Sequence, residues 1–293
     1  MLKRISKGEA AFHIFNYIFL GFCVLITLFP FATIIAKSFS STEAIESGKV
    51  FLLPVDFNLS AYKNMLDDGQ LLHSMFNSVI VTVVGTCLNM IFTTTAAYAL
   101  SKKRLHGRNI IMKLMVFTMM FSGGTIPHFI LVQSLGLMNS YWALWLPGLI
   151  TIYNLIVMKT FFEGLPESLE EAARIDGASE LMIFFRIILP LSMASLATIA
   201  LFYAVSWWNE YFSGMIYIHK SSLMPMQVKL RQMIATVNSA QLMAGETAED
   251  KEKLAKDAVQ AASMVVATIP MLCVYPFLQK YFVKGVMVGA VKG

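Results

Sequence analysis

Six stretches of this 293-residue chain are apolar over the length needed to cross a bilayer: residues 12–36, 72–100, 110–131, 141–162, 187–208 and 259–283. A spanning helix takes about 20 predominantly apolar residues. Lipid offers no partner to backbone N–H and C=O groups, so such stretches satisfy them internally, as helices do. The expected fold is therefore an all-α integral membrane protein with six transmembrane helices. Charged residues make up only 14% of the chain, against about 25% in soluble domains. No small-residue cleavage site follows the first stretch, which reads as a retained helix rather than a removed leader. The expected organisation is a short basic segment at 1–11, a membrane domain over 12–283 and a tail at 284–293.

Charge orients these spans. The N-terminus, 101–113, 159–186 and 280–293 together carry 14 Lys/Arg and 7 Asp/Glu, whereas 37–71 and 207–258 carry 9 and 11. Basic residues accumulate in short cytoplasmic loops. Both termini and the loop at about 163–186 are thus expected on the cytoplasmic side. The pI of 9.0 then reflects topology and implies membrane lipid, not nucleic acid, as the surrounding partner.

Little in the sequence suggests chemistry of its own. Cys23, Cys87 and Cys273 lie singly within expected spans, where lone cysteines serve as packing residues. The five histidines show no helical metal-ligand spacing, and there is no G-x-x-x-x-G-K-[ST] phosphate loop. No nucleophile–base constellation appears. The chain is expected to bind no metal and no cofactor and not to be an enzyme.

Polar residues inside the spans are more informative. The second span carries Asn77, Ser78, Thr82, Thr86, Asn89 and Thr93 to Thr95, residues that face other helices or a cavity rather than lipid. In the third, Ser122-Gly-Gly-Thr-Ile-Pro127 predicts a kink or break. Asn89, Tyr153 and Asn154, with Trp208, Asn209 and Glu210 at the outer end of span five, are candidates to line a path; hydrogen bonding between helices accounts equally well for the amides. Trp207 and Trp208 read first as anchors at the membrane–water interface. Residues 56–60 are placed to cap a short surface helix containing Tyr62 and Met65.

The polar block between spans four and five is the most distinctive part of the chain. Pro166 suits the first turn of a helix, in which Leu165, Leu169 and Ala172 share a face. Glu170 and Arg174 form an i,i+4 pair worth ~0.3 kcal/mol. Gly177 suits the left-handed residue that ends a helix. Ser179 suits the cap of a second helix with Glu180 in its first turn. The block reads either as a helix–turn–helix presented to a docking partner or as an interfacial loop in which Ser168 and Glu171 close a capping box.

The residues Glu171-Ala172-Ala173, Asp176-Gly177-Ala178, Phe185, Ile188, Leu189 and Pro190 resemble the loop of the maltose-type, carbohydrate subgroup of ATP-binding-cassette importer permeases. Tyr62-Lys-Asn64, Phe76-Asn-Ser78, Ala96-Ala-Tyr-Ala-Leu100, Trp208-Asn-Glu210 and Gly289-Ala-Val-Lys-Gly293 resemble other stretches of the same subgroup, so the resemblance covers nearly the whole chain. It implies a type I importer architecture with a cytoplasmic coupling loop. Glu171, Ala172, Ala173, Asp176, Gly177, Ala178, Leu189 and Pro190 would contact or shape the contact with an ATPase. It also implies a second homologous permease subunit, two cytoplasmic ATPase subunits using ATP and Mg, an extracytoplasmic solute-binding protein, and residence in the bacterial cytoplasmic membrane. The stretch from Ser122 to Pro147 resembles a branch tied to alginate and other uronate-containing oligosaccharides. The rival readings are a permease of this architecture for a non-sugar solute and an ion-coupled carrier, the latter disfavoured by the lack of mid-membrane charge.

Overall fold

The computed structural model describes residues 7–67, 69–121, 123–243 and 257–273. Among these residues every regular element is a helix. The chain divides into two units, 1–69 with 230–269 and 70–229 with 270–293.

In the first unit, α1 (Lys7–Ser38) is apolar from Phe12 onward, with a mean hydropathy of 2.5 and no buried residue in its most apolar window. Pro30 lies inside it without ending it. α2 (Thr42–Glu46) is capped by Ser41, and α3 (Ser60–Leu66) follows Asn58, whose side-chain oxygen accepts from the Ser60 N–H at 2.7 Å. Met65 of α3 is fully buried rather than on the surface. α15 (Asp257–Cys273) is the described part of the expected sixth span. The remainder of that span, the charged run 246–256 and the 284–293 tail lie outside the described residues.

The second unit is built on α4 (Gln70–Ser101), 32 residues long, against which α8 (Ile152–Glu163) and α12 (Met193–Trp208) pack. The polar residues of α4 hold other elements in place. Asn77 donates to the carbonyls of Ser222 and Met224, at 3.0 and 3.2 Å, and Ser78 Oγ accepts from the Met226 N–H at 2.8 Å. Met226 opens α14 (Met226–Met243). Thr94 and Thr95 instead return their hydroxyls to carbonyls of their own helix, the usual way a threonine satisfies itself in an apolar setting.

Three expected spans depart from continuous helices. Span three is broken, as its glycines suggested, into α5 (Arg108–Met120) and α6 (Thr125–Ser134), at 114° to one another, with Gly124 at φ +87°. Span four is not one helix over 141–162. α7 (Trp142–Trp145) stops, residues 146–151 are non-helical, and α8 begins at Ile152. Pro147 explains the interruption: it lacks an N–H and crowds the carbonyl four residues earlier.

Span five is not one straight helix over 187–208. α10 (Glu180–Ile183), a π-helical turn at Phe184–Ile188 and α11 (Leu189–Leu191) run continuously, and the chain then turns by 83° at Ser192 into α12. The π turn immediately precedes Pro190, where the missing N–H leaves the regular ladder open. The Leu189 N–H reaches back to the Phe184 carbonyl. Buried Ser192 donates its hydroxyl to the Ile188 carbonyl at 2.6 Å. Between α12 and α14 lies the short α13 (Phe212–Tyr217).

Candidate functional site

The block at 163–186 folds as a helix–turn–helix. α9 (Glu167–Ile175) starts one residue after Pro166, which is its N-cap and not its first helical residue. No side chain caps it, so the capping box between Ser168 and Glu171 does not form. Gly177 takes φ +81°, the left-handed conformation open to glycine at little cost. The Ala178 N–H reaches back to the Ala173 carbonyl at 2.9 Å. Ser179 Oγ then accepts from the Met182 N–H at 3.3 Å and starts α10.

The face that α9 turns inward includes neither Leu169 nor Ala172. Glu170 and Ala173 are buried, while Leu169, Ala172 and Glu171 are exposed. The carboxylate of Glu170 is held on both oxygens. One meets Lys102 Nζ at the end of α4, and the other accepts from Arg174 at 3.0 Å. The expected i,i+4 pair therefore exists as one arm of a larger network. Arg174 also reaches Glu180 at 3.1 Å, and Arg104 meets Glu180 at 2.5 Å. The hydrogen bond from Arg104 holds the Glu180 carboxyl down to about 2, with Arg174 adding to it.

An aromatic wedge sits beside these ion pairs. The Tyr98 ring lies 4.9 Å from Phe184 and 6.0 Å from Phe162, with Lys102 Nζ 4.3 Å above it. Farther along, Glu163 pairs with Lys159 at 2.8 Å and with Arg108. The loop is thus tied to the end of α4 both through charge and through the contact of Phe184 with Tyr98.

Large apolar side chains remain outward. Ile175 is 86% exposed and Leu181 is 70% exposed, with Leu169, Ala172 and Phe185 also open. Asp176 and Gly177 are exposed between them, Ala178 is half-buried, and Leu189 and Pro190 lie beyond the π turn. The sequence reading passed over Ile175 and Leu181. The signal was present: Leu169, Ala172 and Ile175 repeat at three-residue spacing.

A second constellation lies at the interruption in span four. Asn89 of α4, 1% exposed, donates to the carbonyls of Gly148 (2.5 Å) and Leu149 (2.9 Å) and accepts from Trp207 Nε1 at 2.6 Å. The Thr151 N–H donates to the Tyr203 hydroxyl at 3.1 Å, which in turn bonds Thr93 Oγ1 at 2.7 Å. Non-helical backbone at membrane depth survives only where protein satisfies it, and these side chains do so. Trp207 and Trp208 are buried, so neither is the interfacial anchor the sequence suggested. The Trp207 indole fills the space left by two glycines. A Cβ on Gly85 would sit 2.6 Å from its nitrogen, and one on Gly148 would sit 3.3 Å from its ring.

The remaining path candidates are dispersed. Asn154 is buried and Tyr153 is 56% exposed. Asn209 is exposed and donates to the Val205 carbonyl. Glu210 accepts from the Ser213 N–H at 2.8 Å and borders a cavity of about 260 Å³. That cavity is also lined by His128, Thr151, Ser206, Trp207 and Tyr217. The sequence reading singled out only Glu210 there as a path residue; the others become neighbours through the breaks in spans three and four.

Residues 95–288 match the family of binding-protein-dependent transport system inner membrane components, and the chain belongs to that family. Among its relatives, it is 46% identical over 282 residues to the polygalacturonan/rhamnogalacturonan transport system permease protein YtcP of Bacillus subtilis, covering 96% of this chain and 98% of that protein. It is 44% identical over 288 residues to protein LplC of the same organism, covering 98% and 97%. A solved structure of a bacterial ABC transporter involved in importing the acidic polysaccharide alginate contains a chain of the same fold. The TM-score is 0.82 and the identity 36%, over 94% of this chain and 98% of that one.

Proposed function

We propose that this chain is a membrane-spanning permease subunit of a binding-protein-dependent ABC importer for acidic oligosaccharides. In this reading it crosses the membrane six times, with 12–283 as the membrane domain and both termini cytoplasmic. It pairs with a second, homologous permease. Loaded binding protein delivers the sugar to the outer face, and two cytoplasmic ATPases, using ATP and Mg, drive the cycle.

The observation that carries the reading is the loop at 163–186. It presents an exposed apolar face at Leu169, Ala172, Ile175 and Leu181 while Glu170 ties it to α4. An ATPase seated on that face moves the loop, and the ion pairs with Lys102 and Arg104 pass the movement to the spans. Such a handle on a two-state assembly is the physical content of coupling. Glu171, exposed beside the apolar face, is free to meet a cation of the motor, and Gly177 keeps the turn. A uronate-containing cargo, with alginate as the favoured example, is supported by the alginate importer chain and the polygalacturonan permease among its relatives.

The test is reconstitution with the partner permease, the ATPases and the binding protein in proteoliposomes. Wild type is expected to accumulate trigalacturonate or an alginate trisaccharide on ATP addition. Glu171→Ala and Gly177→Pro are expected to lose ATPase co-purification and uptake together. Full assembly and uptake in both variants would overturn the coupling role. Uptake of peptides or amino acids in place of any oligosaccharide would favour the non-sugar alternative.

A further inference from the structure

The cavity beside Glu210 has a chemistry that the coupling loop does not explain. It lies where two interrupted spans meet: His128 belongs to α6 after the break at Gly124, and Thr151 ends the non-helical stretch before α8. Interrupted helices at membrane depth are where transporters build substrate sites. The cavity holds about 260 Å³, below the ~300–1,000 Å³ of pockets for drug-sized ligands and suited to a single small ring.

Its lining combines a rigid aromatic surface with open hydroxyls. Trp207 is fixed by its hydrogen bond to Asn89 and by its seat against Gly85 and Gly148. Tyr217 is also buried. Thr151, Ser206 and His128 are exposed residues on the rim. Glu210 brings the one carboxylate, and no lysine or arginine lines the cavity among the described residues. An ionisable group placed in such a setting is a functional candidate by default.

We infer that this cavity is a subsite for one glycosyl unit, gripping its ring face on Trp207 and its hydroxyls through Glu210, Ser206, Thr151 and His128. An apolar ring face against an indole and several hydroxyls against short polar side chains are the demands of a pyranose. A carboxylate lining accepts hydrogen bonds from sugar hydroxyls and turns a unit's own carboxylate away from it. The subsite therefore reads hydroxyls, and the cations that meet the carboxylates of an acidic cargo come from the partner permease or the binding protein. The inference rests on the proposed importer function and adds the residues by which this subunit touches cargo.

The experiment uses the reconstituted full transporter and two probes, trigalacturonate and the neutral trisaccharide made by reducing its carboxyls. In a background with Cys23, Cys87 and Cys273 replaced by serine, Ser206→Cys is labelled with a small thiol reagent from the outer side. During ATP-driven turnover, either probe is expected to slow labelling. Glu210→Gln is expected to slow transport of both probes by a similar factor, about tenfold for one lost charged hydrogen bond, while Glu210→Asp restores part of it. Unchanged labelling together with unchanged transport in Glu210→Gln overturns the subsite. So does a variant that transports the acidic probe faster and the neutral one normally, since Glu210 would then face the carboxylate. If wild type transports neither trisaccharide nor any other oligosaccharide, the importer reading itself fails.

Discussion

The loop at 163–186 and the interruption at 146–151 both hold a non-helical turn against the end or side of α4, and they do so by opposite means. At the loop, charges carry the load: Glu170 between Lys102 and Arg174, and Glu180 between Arg104 and Arg174. At the interruption, neutral groups do: Asn89, Thr93, Tyr203 and the Trp207 indole. The difference follows from the surroundings. Desolvating an ion pair costs more than its attraction returns unless water or further donors remain nearby, whereas a neutral amide can satisfy two carbonyls in a dry interior at small cost. The lesson is that α4 is held along its length by buried neutral groups and at its Ser101 end by ion pairs.

Breaking the neutral knot should have the largest effect. Asn89→Ala leaves two carbonyls and an indole N–H without partners, and we expect a loss of about 3 kcal/mol or more, measured by thermal unfolding in detergent. A melting temperature within a degree of wild type would mean that water replaces the amide. Gly85→Ala comes next. The new methyl meets Trp207 at 2.6 Å, and overpacking of this kind costs about 1–3 kcal/mol. Pairing it with Trp207→Leu should recover part of the loss, because the two changes share one contact. Additive losses would show that the clash is relieved elsewhere.

At the loop the expected effects are smaller and separable. Glu170→Ala strands Lys102 and should cost about 1–2 kcal/mol, tempered by the partial exposure of its partners. Glu171→Ala should leave unfolding unchanged and reduce only ATPase co-purification. Equal effects on stability would erase the distinction between the two glutamates. The smallest effect concerns pH. The Glu180 carboxyl is lowered from 4.5 to about 2 by Arg104, so its contribution is complete above about pH 4.5 and fades as pH falls toward 2. The side chain is 46% exposed, and screening limits the effect to about 0.5 kcal/mol. Arg104→Gln should flatten that part of the melting profile between pH 5 and 3; an unchanged slope would rule out the pair as its source.

Much of this was legible in the sequence. The apolar runs located α1 and α4, the glycines of 122–124 foretold the break in span three, and Gly177 with Ser179 marked the turn and second cap of the loop. Local rules sufficed because each of these features is local. The misplaced features depend on tertiary contacts. Whether Glu170 or Glu171 turns inward depends on where Lys102 ends up, 68 residues earlier in the chain. Trp207 looks like an interfacial anchor until Gly85 and Gly148 leave room for it. Pro147 was a visible signal for the interruption in span four, outweighed by the hydropathy around it. The cavity beside Glu210 could not be read locally, because its lining comes from separate stretches of the chain.

The most direct measurement is ATPase co-purification with Ile175→Asp, a charge placed on the most exposed apolar residue of the loop, whose side chain takes part in none of the ion pairs described. The variant is expected to retain the wild-type melting temperature and lose the ATPase. A variant that melts normally and still recovers the full complement of ATPase subunits, with sugar-stimulated ATP hydrolysis intact, would contradict the claim that this face is where the motor seats.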